Sequence, residues 1–234
     1  MSASFVTELL KNEEVRRTAI SAEEGVLLQK LIAEKCSKVT VEVGLGHGVS
    51  ALFICEALVK AGGRRHIAID PNSSGIRNLE EAGFGSLVDF RQQKSHVALP
   101  ELVAEGVRVD FALIDGFHTF DHVLLDFFYV DMLLNVGGVV VFDDAEWPAI
   151  HRVCRFIATN RAYRAYAETG GRPVGRASRM ISWCARRSRV LGRLLQPRFS
   201  ETDESLGFSP HGASLIAFEK LANDNRRWDF DRAF

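Results

Sequence analysis

Between Val39 and Phe142 the sequence alternates between short apolar runs and longer helix-like segments. The runs are Val39–Val43, His66–Ile69, Leu87–Phe90, Val109–Ile114 and Val139–Phe142, interrupted by Thr40, Glu42, His66, Asp89 and Asp110. Strands of that kind are buried on both faces, which requires a mostly parallel sheet with helices above and below. The spacing predicts the intervening helices at Ser50–Lys60, Ile76–Ala82, Val97–Ala104 and Asp121–Leu134. The last is stopped by a turn at Asn135-Val136-Gly137-Gly138. Ahead of this block, Phe5–Arg17 reads as one short amphipathic helix. Ser21 with Glu24 forms a capping box, opening a helix whose apolar face carries Val26, Leu27, Leu28, Leu31 and Ile32. Gly25, early in that helix, reads as a tolerated glycine rather than a contact point. After Pro148 a helix over Ala149–Asn160 and strands at Ala162–Ala167 and Ala213–Glu219 follow. The tail NDNRRWDFDRAF reads as weakly structured.

At 234 residues the chain is expected to form a single domain. Residues 1–37 supply N-terminal helices, 38–169 and 211–222 the core, and 170–210 an arginine-rich insertion. From His151 to Arg198 there are twelve Arg, no Lys and one Glu, a net of +11 in a chain whose total is −1, which leaves −12 elsewhere. The insertion reads either as an amphipathic cover paired with the acidic remainder, as a lid for an anionic substrate, or as a contact for anionic lipid. The near-neutral total gives no bulk attraction for nucleic acid. Cysteines 36, 55, 154 and 184 lack metal-type spacing and read as reduced, which suits a cytoplasmic protein. No apolar run approaches the ~20 residues that span a bilayer, and a homo-oligomer is compatible with the sequence.

Gly44, Gly46 and Gly48 fall where the first strand turns into a helix, in VEVGLGHGVS. Bare backbone and free N–H groups at a helix start make a ligand seat. Gly46-x-Gly48-x-x-Ala51 with Asp70 fits a relaxed dinucleotide fingerprint. Glu42 argues against that ligand, because a carboxylate just before the loop repels a pyrophosphate and suits an ammonium group. A buried glutamate also needs a cationic partner. S-adenosylmethionine carries an ammonium at one end and a ribose diol, for Asp70, at the other.

Acidic residues also end the later strands, at Asp115 and at the pair Asp143-Asp144. Three carboxylates at neighbouring strand ends cannot all stay ionised without a cation, and oxygen-only ligands favour Mg²⁺ or Ca²⁺, with Mn²⁺ as a further fit. A metal there would hold substrate oxygens and ease loss of a hydroxyl proton. His118, on the loop three residues after Asp115, is the general-base candidate, with His122 one turn further as its alternate. His47 and His151 read as loop and structural residues.

VEVGLGHGVS followed by AIDP resembles motifs I and II of class I S-adenosylmethionine-dependent methyltransferases. SAEEGVLL is similar to the N-terminal helix of small-molecule O-methyltransferases of the catechol and caffeoyl-CoA type. The resemblance implies a Rossmann-like α/β fold with a seven-stranded sheet whose last strand is antiparallel. It further implies Glu42 and Gly44 near the methionine part, Asp70 at the ribose hydroxyls and Ser95 near the adenine. IDGFH…LLNVGGVVVFDD is similar to methyltransferase family 24, a branch acting on sugars and antibiotic intermediates. There an Asp, an acidic pair and a His hold a metal and a proton, matched here by Asp115, Asp143, Asp144 and His118. Asp143 departs from the Glu common at its position, and Val136 stands where proline is usual. The expected function is O-methyl transfer to a small-molecule hydroxyl, on a sugar or glycosylated metabolite, with a divalent metal. The alternatives are an NAD-dependent oxidoreductase and a cofactor-binding protein without catalysis.

Overall fold

A computed structural model describes residues 2–169 and 213–234. The arginine-rich insertion and Cys184 lie outside the described residues. The strands are β1 Val39–Val43, β2 Arg65–Ile69, β3 Val88–Arg91, β4 Val109–Ile114, β5 Leu134–Phe142, β6 Tyr163–Glu168 and β7 Ile216–Lys220. They form one seven-stranded sheet in the order β3-β2-β1-β4-β5-β7-β6. β1 to β5 run parallel, and β7 is antiparallel to both β5 and β6. The expected architecture, with its antiparallel last strand, is therefore present. Among the described residues no helix is long and apolar enough to cross a membrane.

The helices are α1 Ser2–Leu9, α2 Glu13–Thr18, α3 Ala22–Glu34, α4 Val49–Lys60, α5 Ser74–Glu81, α6 Ser95–Ala104, α7 Phe120–Leu133 and α8 Pro148–Asn160. Each strand alternates its side chains between two apolar layers. Val41, Ile67, Ala112 and Val140 face α6, α7 and α8. Ala68, Phe111, Leu113 and Val141 face α3, α4 and the N-terminal helices. Phe142 sits between Phe127 and Phe218, with ring centroids 6.1 Å away on either side. Burying each such ring stabilises the fold by about 1.5–3 kcal/mol.

Three expectations are corrected. The single N-terminal helix is two, because the Asn12 side chain accepts the Glu14 N–H and caps a new helix. The turn expected at 135–138 lies inside β5, which starts at Leu134. Leu134 pairs with Val109 across a register shift, and Gly137, at φ +84°, takes up the irregularity. Gly25 is a contact point after all. A Cβ there would come within 2.6 Å of the Phe53 ring, so the bare backbone lets α3 lie against α4. The capping box is confirmed, with Glu24 accepting the Ser21 N–H and Ser21 accepting the Glu24 N–H.

β1 is where the strand order reverses: the chain leaves it for β2 on one side and later returns to β4 on the other. Open parallel sheets leave a crevice beyond the strand ends at that point.

Candidate active site

The crevice is a cavity of about 600 Å³. Gly44, Gly46, Asp70, Ser95, Asp115 and His118 all line it, as do His122, His47 and Ser50. Glu42, Gly48, Asp143 and Asp144 stand behind or beside its wall. Thr18, the last residue of α2, and Ala19 and Ile20 in the link to α3 close another side. Those three were not anticipated, since a short apolar link carries no chemical signal of its own.

The floor is stitched from strand ends. Gly44 N–H donates to Ile69 O at 2.9 Å, and Asp115 N–H to Val43 O at 2.9 Å. Gly44 has φ +90°, and a Cβ there would meet the Asp115 carbonyl oxygen at 2.0 Å. Only glycine allows the loop after β1 and the loop after β4 to touch in this way.

Asp70 is buried. Its Oδ2 accepts the N–H groups of Leu45 and Gly46, each at 2.9 Å. Its Oδ1 accepts from Asn72 N at 2.7 Å, the turn bond expected of an Asp before proline. A carboxylate has about four lone-pair sites, so Oδ1 keeps one for a ligand. Glu42 is fully buried and has its partners inside the protein: Ser50 Oγ donates to Oε1, and His66 Nε2 lies 3.2 Å from Oε2.

β4 and β5 are neighbours, so Asp115 and the Asp143-Asp144 pair meet as expected. His118 lies between carboxylates, Nε2 3.4 Å from Asp115 Oδ1 and Nδ1 3.5 Å from Asp144 Oδ2. The bond to Asp115 raises the proton affinity of His118, against the effect of burial. Burial, with the neighbouring Glu42 charge, raises the Asp115 pKa; burial, with the Asp115 charge, raises that of Asp143. Asp144 adopts φ +50°, in the left-handed region that Asp tolerates better than most residues. Trp147 and His118 have ring centroids 5.5 Å apart, and Phe117 and His122 5.0 Å. Phe117 is 67% exposed and Trp147 50%, so one apolar ring lies beside each of the two imidazoles and is open to solvent.

The donor chemistry at Asp115, Asp143 and Asp144 fits a hard cation, because crowded carboxylates that favour protons equally favour a metal. Among the described residues, however, no three His, Cys, Asp or Glu side chains are arranged as they stand to hold a metal ion. His118 takes the space between Asp115 and Asp144 instead.

A protein family described as a methyltransferase domain matches residues 41–145, the stretch from the glycine loop to the acidic pair. That match covers a little under half of the chain. The chain is similar to two plant proteins. Tricin synthase 1 of Oryza sativa subsp. japonica is 35% identical over 141 residues, 54% of this chain and 53% of that protein. Caffeoyl-CoA O-methyltransferase 1 of Arabidopsis thaliana is 30% identical over 138 residues, 54% of this chain and 50% of that protein. The chain thus spans about half the length of the curated relatives it matches. Among solved structures, the O-methyltransferase TomG from Streptomyces achromogenes, in complex with SAM, has a TM-score of 0.66 at 18% identity. It covers 94% of this chain and 90% of its own. That likeness is one of fold.

Proposed function

We propose that this chain transfers the methyl group of S-adenosylmethionine to a hydroxyl oxygen of a small-molecule acceptor, with His118 taking the hydroxyl proton. The observation that carries this is the position of His118. It lies on the cavity wall, held between Asp115 and Asp144, beside the loop that would seat the methyl donor. When bound, S-adenosylmethionine supplies a methyl carbon on a positively charged sulfur, and the electron pair of the broken C–S bond leaves on that sulfur.

The remaining roles belong to the chain. Gly44 and Gly46 give the donor a bare backbone seat, and the free Asp70 lone pair takes a ribose hydroxyl. Ser95, on the cavity wall where α6 begins, lies toward the adenine. His118 removes the acceptor proton as oxygen attacks, and carboxylates on either side stabilise the imidazolium that forms. Phe117 and Trp147 offer their faces to a planar ring, which favours a phenolic hydroxyl over a sugar hydroxyl. The relative named for caffeoyl-CoA supports the same choice. A divalent cation would be held by Asp115, Asp143 and Asp144. It would supply a Lewis acid for the acceptor oxygen.

The test is calorimetry with S-adenosylhomocysteine and with NAD, followed by labelled-methyl transfer to catechols, other phenols and sugars. Binding of S-adenosylhomocysteine with phenol methylation is expected. His118→Ala should keep cofactor binding and lose about 10²–10⁴-fold in turnover. Tight NAD binding without S-adenosylhomocysteine binding refutes the reading.

A further inference from the structure

α7 has one face turned to the sheet, where Val123, Phe127, Val130 and Leu133 are buried. On its outer face Asp121, Leu125, Phe128 and Met132 follow one another at steps of four, three and four, and all of them are exposed. That spacing keeps them on one narrow stripe along the helix. Leu125, Phe128 and Met132 are 39%, 51% and 45% exposed. An exposed apolar residue standing singly is ordinary, whereas three in a row along one helix make a patch. Val136, just past the helix end, is exposed as well.

The two ends of the stripe carry opposite charges. Asp121 opens it in the first turn of α7, with His122 Nδ1 3.5 Å from its Oδ2. At the other end the exposed Arg108 donates to the Met132 carbonyl at 2.6 Å, which sets its guanidinium beside the last apolar residue. Asp121 and Met132 are eleven positions apart, about 16 Å along the helix axis. The order of acid, three apolar residues and base is complementary to itself when reversed. Two copies of α7 laid antiparallel about a twofold axis bring Leu125 of one copy against Phe128 of the other. The same arrangement brings Asp121 of one copy toward Met132 and Arg108 of the other. Self-complementarity of this kind is what a twofold contact requires.

We propose that the outer face of α7 is the contact between two copies of this chain, paired antiparallel with Leu125, Phe128 and Met132 at the centre and an Asp121–Arg108 pair at each end. The apolar centre supplies the association, and the end charges fix the direction of pairing. α7 begins at Phe120, two residues beyond His118, so the contact also braces the helix next to the proposed base. The contact does not depend on the methyl-transfer reading.

Sedimentation velocity on the full chain over a range of concentrations reads the assembly. Wild type is expected as a dimer at micromolar concentration. Phe128→Lys and Leu125→Lys should each weaken it about 30-fold or more while keeping the wild-type circular dichroism. Asp121→Arg and Arg108→Asp each set like charges together at both ends and should weaken the dimer about tenfold. The double variant exchanges the two charges and should recover most of the lost affinity. If an apolar variant loses the wild-type fold, the charge exchange decides by itself. A monomeric wild type overturns the proposal, as does a dimer untouched by folded Phe128→Lys and Leu125→Lys. A double charge variant no tighter than the single ones overturns the antiparallel pairing, and the proposal with it.

Discussion

Replacing Asp126 with asparagine is expected to stabilise the protein above neutral pH and to change little in acid. Asp126 points from α7 into the packed layer against the sheet, 1% exposed, and neither carboxyl oxygen closes a hydrogen bond. Burial pushes its pKa from 3.8 up to about 6. The nearby Ser95 hydroxyl and the imidazoles of His122 and His96 pull the other way, without cancelling the burial. Below the unfolded pKa both states hold the proton, and the group costs nothing. As pH rises through about 4 the unfolded chain ionises first, so stability falls. Above about 6 the native chain ionises too, and the loss stops growing. At about 1.4 kcal/mol per pH unit, the full loss is about 3 kcal/mol. Asparagine cannot ionise, so Asp126→Asn recovers up to that amount at pH near 8 and close to none at pH near 4. For a chain of this size the gain corresponds to a Tm rise of about 6–12 °C. Thermal unfolding followed by circular dichroism across that pH range measures it. A variant destabilised by the same amount at every pH would refute the reasoning, since it would mean that the native carboxylate is charged and bonded.

Gly25→Ala should cost about 1–3 kcal/mol, because the new methyl group meets the Phe53 ring and forces it to shift; urea unfolding reads the loss. Asp131 receives bonds from Arg161 and from Tyr163 Oη, and lies 3.5 Å from Lys220 Nζ, all three residues being largely buried. Asp131→Ala leaves those cations short of their carboxylate and should cost about 3–5 kcal/mol, seen as a lower urea midpoint. For the proposed metal, chelator should abolish methyl transfer and added Mg²⁺ restore it. Asp143→Ala should lose that response while still binding S-adenosylhomocysteine by calorimetry. Turnover indifferent to both treatments would leave His118 as base without a metal.

The strands that the sequence announced most clearly are those buried on both faces. Val39–Val43 and Val109–Ile114 have the expected ends, because short runs dominated by Val, Ile, Leu and Phe suit a buried parallel sheet. β5 was legible only in its second half. Asn135-Val136-Gly137-Gly138 has turn chemistry locally, and the pairing of Leu134 with Val109 outweighs it. The split between α1 and α2 depends on one cap, Asn12, whose signal was readable beside Glu13 and Glu14. Asp70, Asp115 and His118 were legible because strand ends and the residues just beyond them project onto one rim. His66 and Asp126 were not. A polar residue inside an apolar run looks like a solvent-facing position until the layer covering it is known. Asp126 did carry a clue, lying one residue before Phe127 and three after Val123 on a buried helix face.

The contact between Gly44 and the Asp115 carbonyl makes the two halves of the site a single rigid gauge. In the proposed reaction, the donor seat and the base are then carried by loops that leave adjacent strands, which lie about 4.8 Å apart. A substitution that altered acceptor preference by shifting the floor would displace the donor equally and gain nothing. Variation in what is methylated therefore has to enter from the rim, at residues such as Phe117 and Trp147, while the ruler beneath stays the same length.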